Sequence, residues 1–299
     1  MNYSIIIPHK NVPELLEQLL NTIPRREDTE IIIVDDHSDI ELVDFDHFPG
    51  VNRPRTHCVF LDQSKGAGYA RNIGLEKASG RWLLFADADD SYTDCMADIM
   101  NKYALDESID MVILNARMVD EFGNYSRLNV NKYIDNFKKH RLYSNKVIRY
   151  GMWTPWSRMV KREMICKHNL RFEEVPTGND MMFCLLCSKY AKNIVAEQEI
   201  VYNYLKPIGR SLTNAYSKQI ESLEPKVDRT FRRLALYKEV NYIFKPDHIH
   251  TRFHALRDPE LGKEYFELYN DLLRKHHYSN LKDVWYFLLT QFGRLLDII

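Results

Sequence analysis

Arg81-Trp82-Leu83-Leu84-Phe85-Ala86-Asp87-Ala88-Asp89-Asp90 decides how the chain is read. The apolar run Trp82–Phe85, preceded by Gly80, has the pattern of a short strand buried on both faces, as in a parallel sheet covered by helices. Three carboxylates follow within four residues. Aspartate is a poor strand former and unpaired buried charge is costly, so these acids belong where the strand leaves the core. In an open α/β sheet that place is the carboxyl edge, where ligands bind. Asp87 and Asp89 stand two apart and project to the same side of an extended chain. Two hard oxygen donors on one side suit Mg²⁺ or Mn²⁺ that also carries substrate phosphates. The competing reading is a polar loop that caps the next helix, with Thr93 as its N-cap.

The bulk properties narrow the field. A chain of 299 residues is one large domain or a domain with an extension, and 45% hydrophobic with 28% charged residues is an ordinary globular composition. A formal net charge of −1 gives no general attraction to nucleic acid. Five cysteines, an odd number without framework spacing, point to reduced thiols and a cytoplasmic setting. Cys184 and Cys187 form a C-x2-C inside the apolar run Met181–Cys187, which reads as buried helix core and not as zinc ligation. The start Tyr3-Ser4-Ile5-Ile6-Ile7-Pro8 lacks the features of a signal peptide, and no stretch is long and apolar enough to predict a spanning helix.

Strand patterns at Ile5–Ile7, Glu30–Val34, His57–Leu61, Arg81–Phe85 and Met111–Asn115 alternate with helical patterns at Val12–Thr22, Ala67–Ala78 and Thr93–Leu105. That alternation predicts an α/β fold, a mostly parallel sheet with helices on both faces. The segment between Ser38 and Pro54 reads as irregular. The second strand also ends in acid, Ile31-Ile32-Ile33-Val34-Asp35-Asp36-His37-Ser38. Acids on neighbouring strand ends line one crevice, where they bond a nucleoside donor group; alternatively they are turn residues that bond their own backbone.

Lys65-Gly66-Ala67-Gly68-Tyr69-Ala70-Arg71-Asn72-Ile73-Gly74 superficially satisfies the dinucleotide fingerprint. Arg71, however, occupies the place of the third glycine, and the motif does not follow the first strand. The first βα turn, Pro8-His9-Lys10-Asn11, has no glycine, and a Walker A loop is absent. Arg71 is therefore expected to reach an anion or to orient a carboxylate, with Asn72 capping locally.

Taken together, Ser4–Pro8, Ile33–Ser38, Gly66–Gly74 and Phe85–Asp90 resemble the family 2 glycosyltransferases of the GT-A (Rossmann-like) fold, in order and spacing, over roughly the first 120 residues. The resemblance implies a nucleotide-sugar donor, with a UDP-sugar the expected form. Asp36 would meet the base, Asp87 the ribose region and Asp89 the divalent metal (Mn²⁺ or Mg²⁺) on the diphosphate, with Pro8 and Arg71 on the same substrate-binding side. The Trp153–Arg162 segment is similar to the family's Trp-Asn-Lys segment, from which Ser157 and Arg158 depart. Trp153 offers a flat face for an acceptor sugar, whereas Trp156 fits the core at least as well. Gly178-Asn179-Asp180 opens the helix Met181–Tyr190, where the family has Glu-Asp. The resemblance makes Asp180 the catalytic base of an inverting enzyme; Asn179 replaces the usual glutamate, and Glu173 and Glu174 are rival bases. Helix capping is the plain alternative for Asp180.

Glu121–Asn124 has the composition of a turn, Asn131–Leu142 reads as a polar surface helix on the acceptor side, and Asn193–Leu205 reads as a strand or hairpin. The loop Lys206–Thr213, which carries Arg210, reads either as a cover that neutralises a diphosphate or as an ordinary solvent loop. These readings give a catalytic domain over residues 1–215, divided into a nucleotide-sugar part (1–120) and an acceptor part (121–215), followed by a helical C-terminal extension (216–299). The last helix, Leu281–Ile299, has an apolar stripe that buries against the same protein, a second subunit in a homodimer, or a membrane surface. The resemblance implies transfer of a sugar to a glycan or lipid-linked glycan acceptor hydroxyl in surface polysaccharide biosynthesis, by a cytoplasmic enzyme that is peripheral to the inner face of the cell membrane if the last helix is what binds there. The competing functions are a sugar-phosphate nucleotidyltransferase, for which the Gly-rich first loop is lacking, and a catalytically dead nucleotide- or glycan-binding module.

Overall fold

The computed structural model describes residues 1–139 and 141–206, with positions 228, 229, 232, 233, 235–237, 239 and 240 beyond them. The chain divides into two compact units, Met1–Ser211 and Leu212–Ile299. In the second, Arg232 Nε donates to Asp228 Oδ2 at 2.7 Å, one helical turn away. Arg210, its loop, the helix at 281–299 and most of the expected extension lie outside the described residues. The sheet and every described site residue belong to the first unit.

The strands β1 (Tyr3–His9), β2 (Thr29–Asp35), β3 (Thr56–Phe60) and β4 (Trp82–Phe85) lie side by side in the order β3-β2-β1-β4, all parallel. Every residue of β1, β2 and β4 is buried. Their continuous Ile/Val/Leu runs, with no polar alternation, mark strands covered on both faces. The register pairs His9 with Asp35 and Ile6 with Phe85, so the three strands end together at one edge. Between them run α1 (Pro13–Thr22), which buries Leu16, Leu19 and Leu20 on one stripe, and α2 (Ala67–Lys77).

The chain continues through β5 (Ser91–Tyr92), α3 (Cys95–Tyr103), β6 (Met111–Val119), β7 (Tyr125–Arg127), α4 (Asn129–Lys139) and α5 (Arg141–Tyr150). Then come β8 (Arg158–Lys161), α6 (Arg162–Lys167), α7 (Met181–Tyr190) and β9 (Ile194–Leu205). The sheet extends from β4 as β8-β6-β9-β5, with β7 paired to β6. Here β8 inserts antiparallel between β4 and β6, while β6 and β9 pair in parallel. The expected mostly parallel sheet is thus present, with a mixed second half.

Two local expectations are corrected. Thr93 does not cap α3: its hydroxyl donates to Ile200 O at 2.6 Å, and Asp94 holds the N-cap position. The expected single helix at 131–142 is two helices, α4 and α5. Asn131 at the start of α4 is buried, because its amide bonds Asn115 Oδ1 at 2.6 Å and Ala116 O at 2.7 Å on β6. Cys184 and Cys187 are both fully buried in α7, in the core as expected. No described helix is long and apolar enough to cross a membrane.

Candidate active site

The carboxyl edge of β1, β2 and β4 carries the acids. Asp35 accepts hydrogen bonds from Ser38 N at 2.9 Å and Ser38 Oγ at 2.5 Å, and it faces His9 Nδ1 at 2.7 Å. Since His9 Nε2 accepts the Val12 N–H at 3.2 Å, the imidazole proton sits on Nδ1 and is donated to Asp35. Burial alone would raise the Asp35 pKa, but the bonds from His9 and Ser38 outweigh it and hold the carboxyl below its ordinary value. Asp35 is the turn-former of the pair. Asp36 accepts from Ser64 Oγ at 2.7 Å, Lys65 N at 2.7 Å and Gly66 N at 3.0 Å, with Lys10 Nζ at 3.9 Å. Its carboxylate anchors the loop that leads into α2.

The first turns of α2 are the hub where distant parts of the chain meet. Gly66, the N-cap, has φ +88° and ψ 165°, a backbone region open essentially to glycine, and this aims its N–H at Asp36. Gly68 answers a different need: a Cβ there would lie 2.1 Å from Glu173 O and 2.9 Å from Asn179 Cβ. The 173–179 loop, closed by the bond from Glu173 N to Asn179 O at 3.0 Å, therefore packs directly on the helix backbone. Arg71, 6% exposed, donates to Asp87 Oδ1 at 2.5 Å and to Asn179 Oδ1 at 2.9 Å, and lies over the Phe172 ring. Arg71 thus reaches a carboxylate, that of Asp87. Asn72 does not cap locally; it bonds both Phe172 O at 3.0 Å and Phe172 N at 2.8 Å, like a strand partner.

Beyond Phe85 the three acids separate in environment. Asp87 is half-buried against Arg71. Asp90 is 4% exposed, and burial, then the charges of Asp87 and Asp89, raise its pKa well above the carboxylate range. Asp89 is exposed and has no side-chain hydrogen bond or ion pair among the described residues. Partial desolvation and repulsion from Asp87 push its pKa up. A carboxylate at the rim, crowded by a second acid, suits a divalent cation shared with substrate phosphates, which needs only one or two protein oxygens. The described residues contain no cluster of three or more His, Cys, Asp or Glu side chains that could hold a metal ion.

Pro8 is buried within β1, opposite Val34. Trp156 is buried and stacks on Tyr202 and Tyr204, with centroids at 5.2 and 5.7 Å, so it is core. Trp153 is only half-buried, its indole N–H donating to Tyr150 O at 3.1 Å. Asp180 stands at the N-cap of α7 without a side-chain capping bond, half-buried beside Asn179. Glu174 is exposed and takes a bond from Asn72 at 3.2 Å. Two contacts go unforeseen in the sequence: Asn179, noted there only as replacing a glutamate, is the second partner of Arg71, and the hydroxyl of Tyr202 touches the acidic turn. Each sits more than 100 residues from its partner, and no local pattern flags it. A separate cavity of about 630 Å³, lined by Arg25, Arg26, Arg53 and Arg55, lies at the opposite, amino end of β2 and β3. None of the acids of the carboxyl edge lines it.

A family model described as glycosyl transferase family 2 matches residues 4–165. The uncharacterized glycosyltransferase YibD of Escherichia coli K12 is 27% identical over 223 residues, covering 68% of this chain and 61% of that protein. The chain thus spans about three fifths of that relative's length. The crystal structure of Staphylococcus aureus TarS 1-349 in complex with UDP-GlcNAc matches with a TM-score of 0.71 at 17% identity, covering 99% of this chain and 92% of the other. The mannosyltransferase PcManGT of Pyrobaculum calidifontis, in complex with GDP-Man and Mn²⁺, matches with a TM-score of 0.54 at 15% identity, covering 100% and 81%. At these identities the structural likenesses speak for the fold. With the family match spanning more than half of its length and both Asp-bearing strand ends inside the match, the chain belongs to glycosyl transferase family 2 and has the GT-A fold.

Proposed function

We propose that the protein is an inverting glycosyltransferase that takes a sugar from a nucleoside diphosphate, UDP being the expected carrier, and places it on an acceptor hydroxyl. The observation that carries this reading is the Arg71 fork. One arm holds Asp87 after the strand end and the other holds Asn179, the neighbour of Asp180, so one guanidinium joins the two acid-bearing segments, which supports a cleft shared by donor and acceptor. Asp36 shapes the base side of that cleft by fixing Ser64–Gly66. Asp89, with Asp87 behind it, would hold Mg²⁺ or Mn²⁺, which when bound offsets the charge on the leaving diphosphate.

Asp180 is the base. It stands at the N-cap of α7, the positive end of the helix dipole. It takes the proton from the acceptor hydroxyl, whose oxygen bonds the anomeric carbon as the bond to the diphosphate oxygen breaks on the opposite face. One displacement inverts the anomeric centre. Trp153 offers an aromatic face for the acceptor sugar, and Arg210 would meet the diphosphate. A role in surface polysaccharide assembly on a lipid-linked acceptor, and membrane contact through residues 281–299, rest on sequence alone; flotation with liposomes, with and without residues after Asn280, tests the latter.

The deciding experiment compares wild type with Asp180→Asn against a panel of nucleotide sugars with Mn²⁺. Thermal shift reads donor binding, and nucleoside diphosphate release reads turnover. The variant should keep the donor-induced shift and lose release by at least about 100-fold. Release at the wild-type rate would remove Asp180 from the base role, and a chain that responds to no nucleotide sugar would end the donor reading.

A further inference from the structure

Three consecutive features of the Asp87–Asp90 turn lead away from its own strand. Sheet pairing of β4 with β1 stops at Phe85, and the last ladder-like bond is Ala86 N to Ile6 O at 3.1 Å. The turn closes on itself through Asp90 N to Asp87 O at 3.1 Å. Apart from the bond from Arg71 to Asp87 Oδ1, its hydrogen bonds go to β9: Asp87 N donates to the Tyr202 hydroxyl at 3.0 Å, and that hydroxyl donates to Asp90 Oδ2 at 2.7 Å. The other oxygen, Asp90 Oδ1, accepts the Leu205 N–H at 2.7 Å.

One phenol oxygen therefore ties both ends of the turn, and one buried carboxylate ties the turn to the end of β9. Tyr202 is fully buried and Asp90 is 4% exposed. The Tyr202 ring is itself held flat against Trp156, the planes 4° apart, and edge-on to Tyr92 at 5.3 Å. Asp89, between the two tied residues, has no side-chain partner of its own among the described residues, so the aim of its carboxylate is set by the backbone of the turn. Asp90 is buried with one hydrogen bond from the protein on each oxygen, whereas its neighbour Asp89 is exposed, so Asp89 is the better placed of the two to meet a cation.

We propose that Tyr202 and Asp90 are a positioning pair that holds the Asp89 carboxylate on target for the divalent cation and couples it to the end of β9. This rests on the metal-assisted reading of Asp89. Outer partners that orient a metal ligand typically matter 10- to 100-fold in metal affinity. Tyr202→Phe keeps the ring contacts and deletes only the hydroxyl, leaving Asp87 N and Asp90 Oδ2 without their partner. It should weaken Mn²⁺ binding about tenfold or more, read by electron paramagnetic resonance titration of free Mn²⁺ in the presence of UDP. Asp90→Ala should do the same, and the double variant should be little worse than either single one. Asp90→Asn, able to accept from Leu205 and bond the phenol, should recover most of the affinity.

A second readout separates this link from the metal reading. Amide exchange at Asp87 and Leu205 in the metal-free protein should accelerate about tenfold or more in Asp90→Ala, and at Asp87 in Tyr202→Phe, ahead of global unfolding. Wild type that binds no Mn²⁺ would sink the metal role of Asp89, and the inference with it as regards the cation. Wild-type Mn²⁺ affinity in folded Tyr202→Phe, or unchanged exchange at Asp87, would overturn the positioning pair. Loss in Asp90→Asn as deep as in Asp89→Ala would make Asp90 a ligand instead.

Discussion

Arg71 and Asp87 pair at 2.5 Å, and the second arm of the same guanidinium reaches Asn179 at 2.9 Å. The Arg71 side chain is 7% exposed and that of Asp87 31%. Lysine has the charge but not the fork, so Arg71→Lys can hold one partner and must release the other. It should lower stability by about 2 kcal/mol, the scale of a lost hydrogen bond to a charged group. Turnover should fall more steeply than donor binding, because the Asn179-Asp180 segment loses its tether. Denaturant titration beside steady-state kinetics checks both; equal kcat in the variant would show that the fork does not align the two segments.

The two glycines that open α2 should fail differently when replaced by alanine. At Gly66 there is open space for a Cβ, but φ is +88°, and forcing an L-residue there costs roughly 1–3 kcal/mol. The loss falls on the N–H that binds Asp36, so the donor KM should rise. At Gly68 the obstacle is Glu173 O, 2.1 Å from the added carbon, and overpacking of this kind costs roughly 1–3 kcal/mol. Here the 173–179 loop must move, and kcat should drop with the donor KM little changed. The reverse split would contradict the assignment of the two glycines.

Glu30 gives the acid limb of stability a specific origin. It is a buried carboxylate on β2 that accepts from Ser4 Oγ at 2.6 Å, Ser79 N at 2.7 Å, Ser79 Oγ at 2.9 Å and Gly80 N at 3.2 Å. Burial pushes its pKa up, but these bonds together outweigh it and leave the carboxyl below its ordinary value. A depressed folded-state pKa means stability that is present above the unfolded value and lost as pH falls through the folded one. Glu30→Gln should therefore be less stable at pH 7 and should lose less on acidification from about pH 5 to about pH 3. A parallel acid limb in the variant would place the effect elsewhere.

Thiol chemistry should follow burial. Burial pushes the Cys58 thiol up to about 11 and the Cys184 thiol up to about 12, and Cys187 is raised further, all against thiolate formation. Cys166 is the exposed one of the five. A maleimide or disulfide reagent at neutral pH should modify Cys166 first and reach Cys184 and Cys187 only on unfolding, with no zinc released. Labelling of Cys187 in the folded protein would reveal an opening of α7.

Much of this architecture is written in short-range pattern. Trp82–Phe85, Ile31–Val34 and Ile5–Ile7 announce doubly covered strands because nothing polar interrupts them, and the acids that follow mark the edge where the chain must leave the core. The spacing of Leu16, Leu19 and Leu20 does the same for α1. These signals depend on neighbours within a few residues, so they survive without coordinates, and with them came the family.

Which acid does what is a matter of contacts far apart in the chain. Asp35, Asp36, Asp89 and Asp90 look alike in a line of letters, yet one folds a turn, one anchors the loop before α2, one is left at the rim and one is buried under a tyrosine 112 residues away. Asn72 meets Phe172 at a separation of 100 residues, and β8 enters the sheet between strands formed long before it. A carboxylate's charge, reach and partners follow from burial and hydrogen bonding, and these exist only once distant segments have packed against one another.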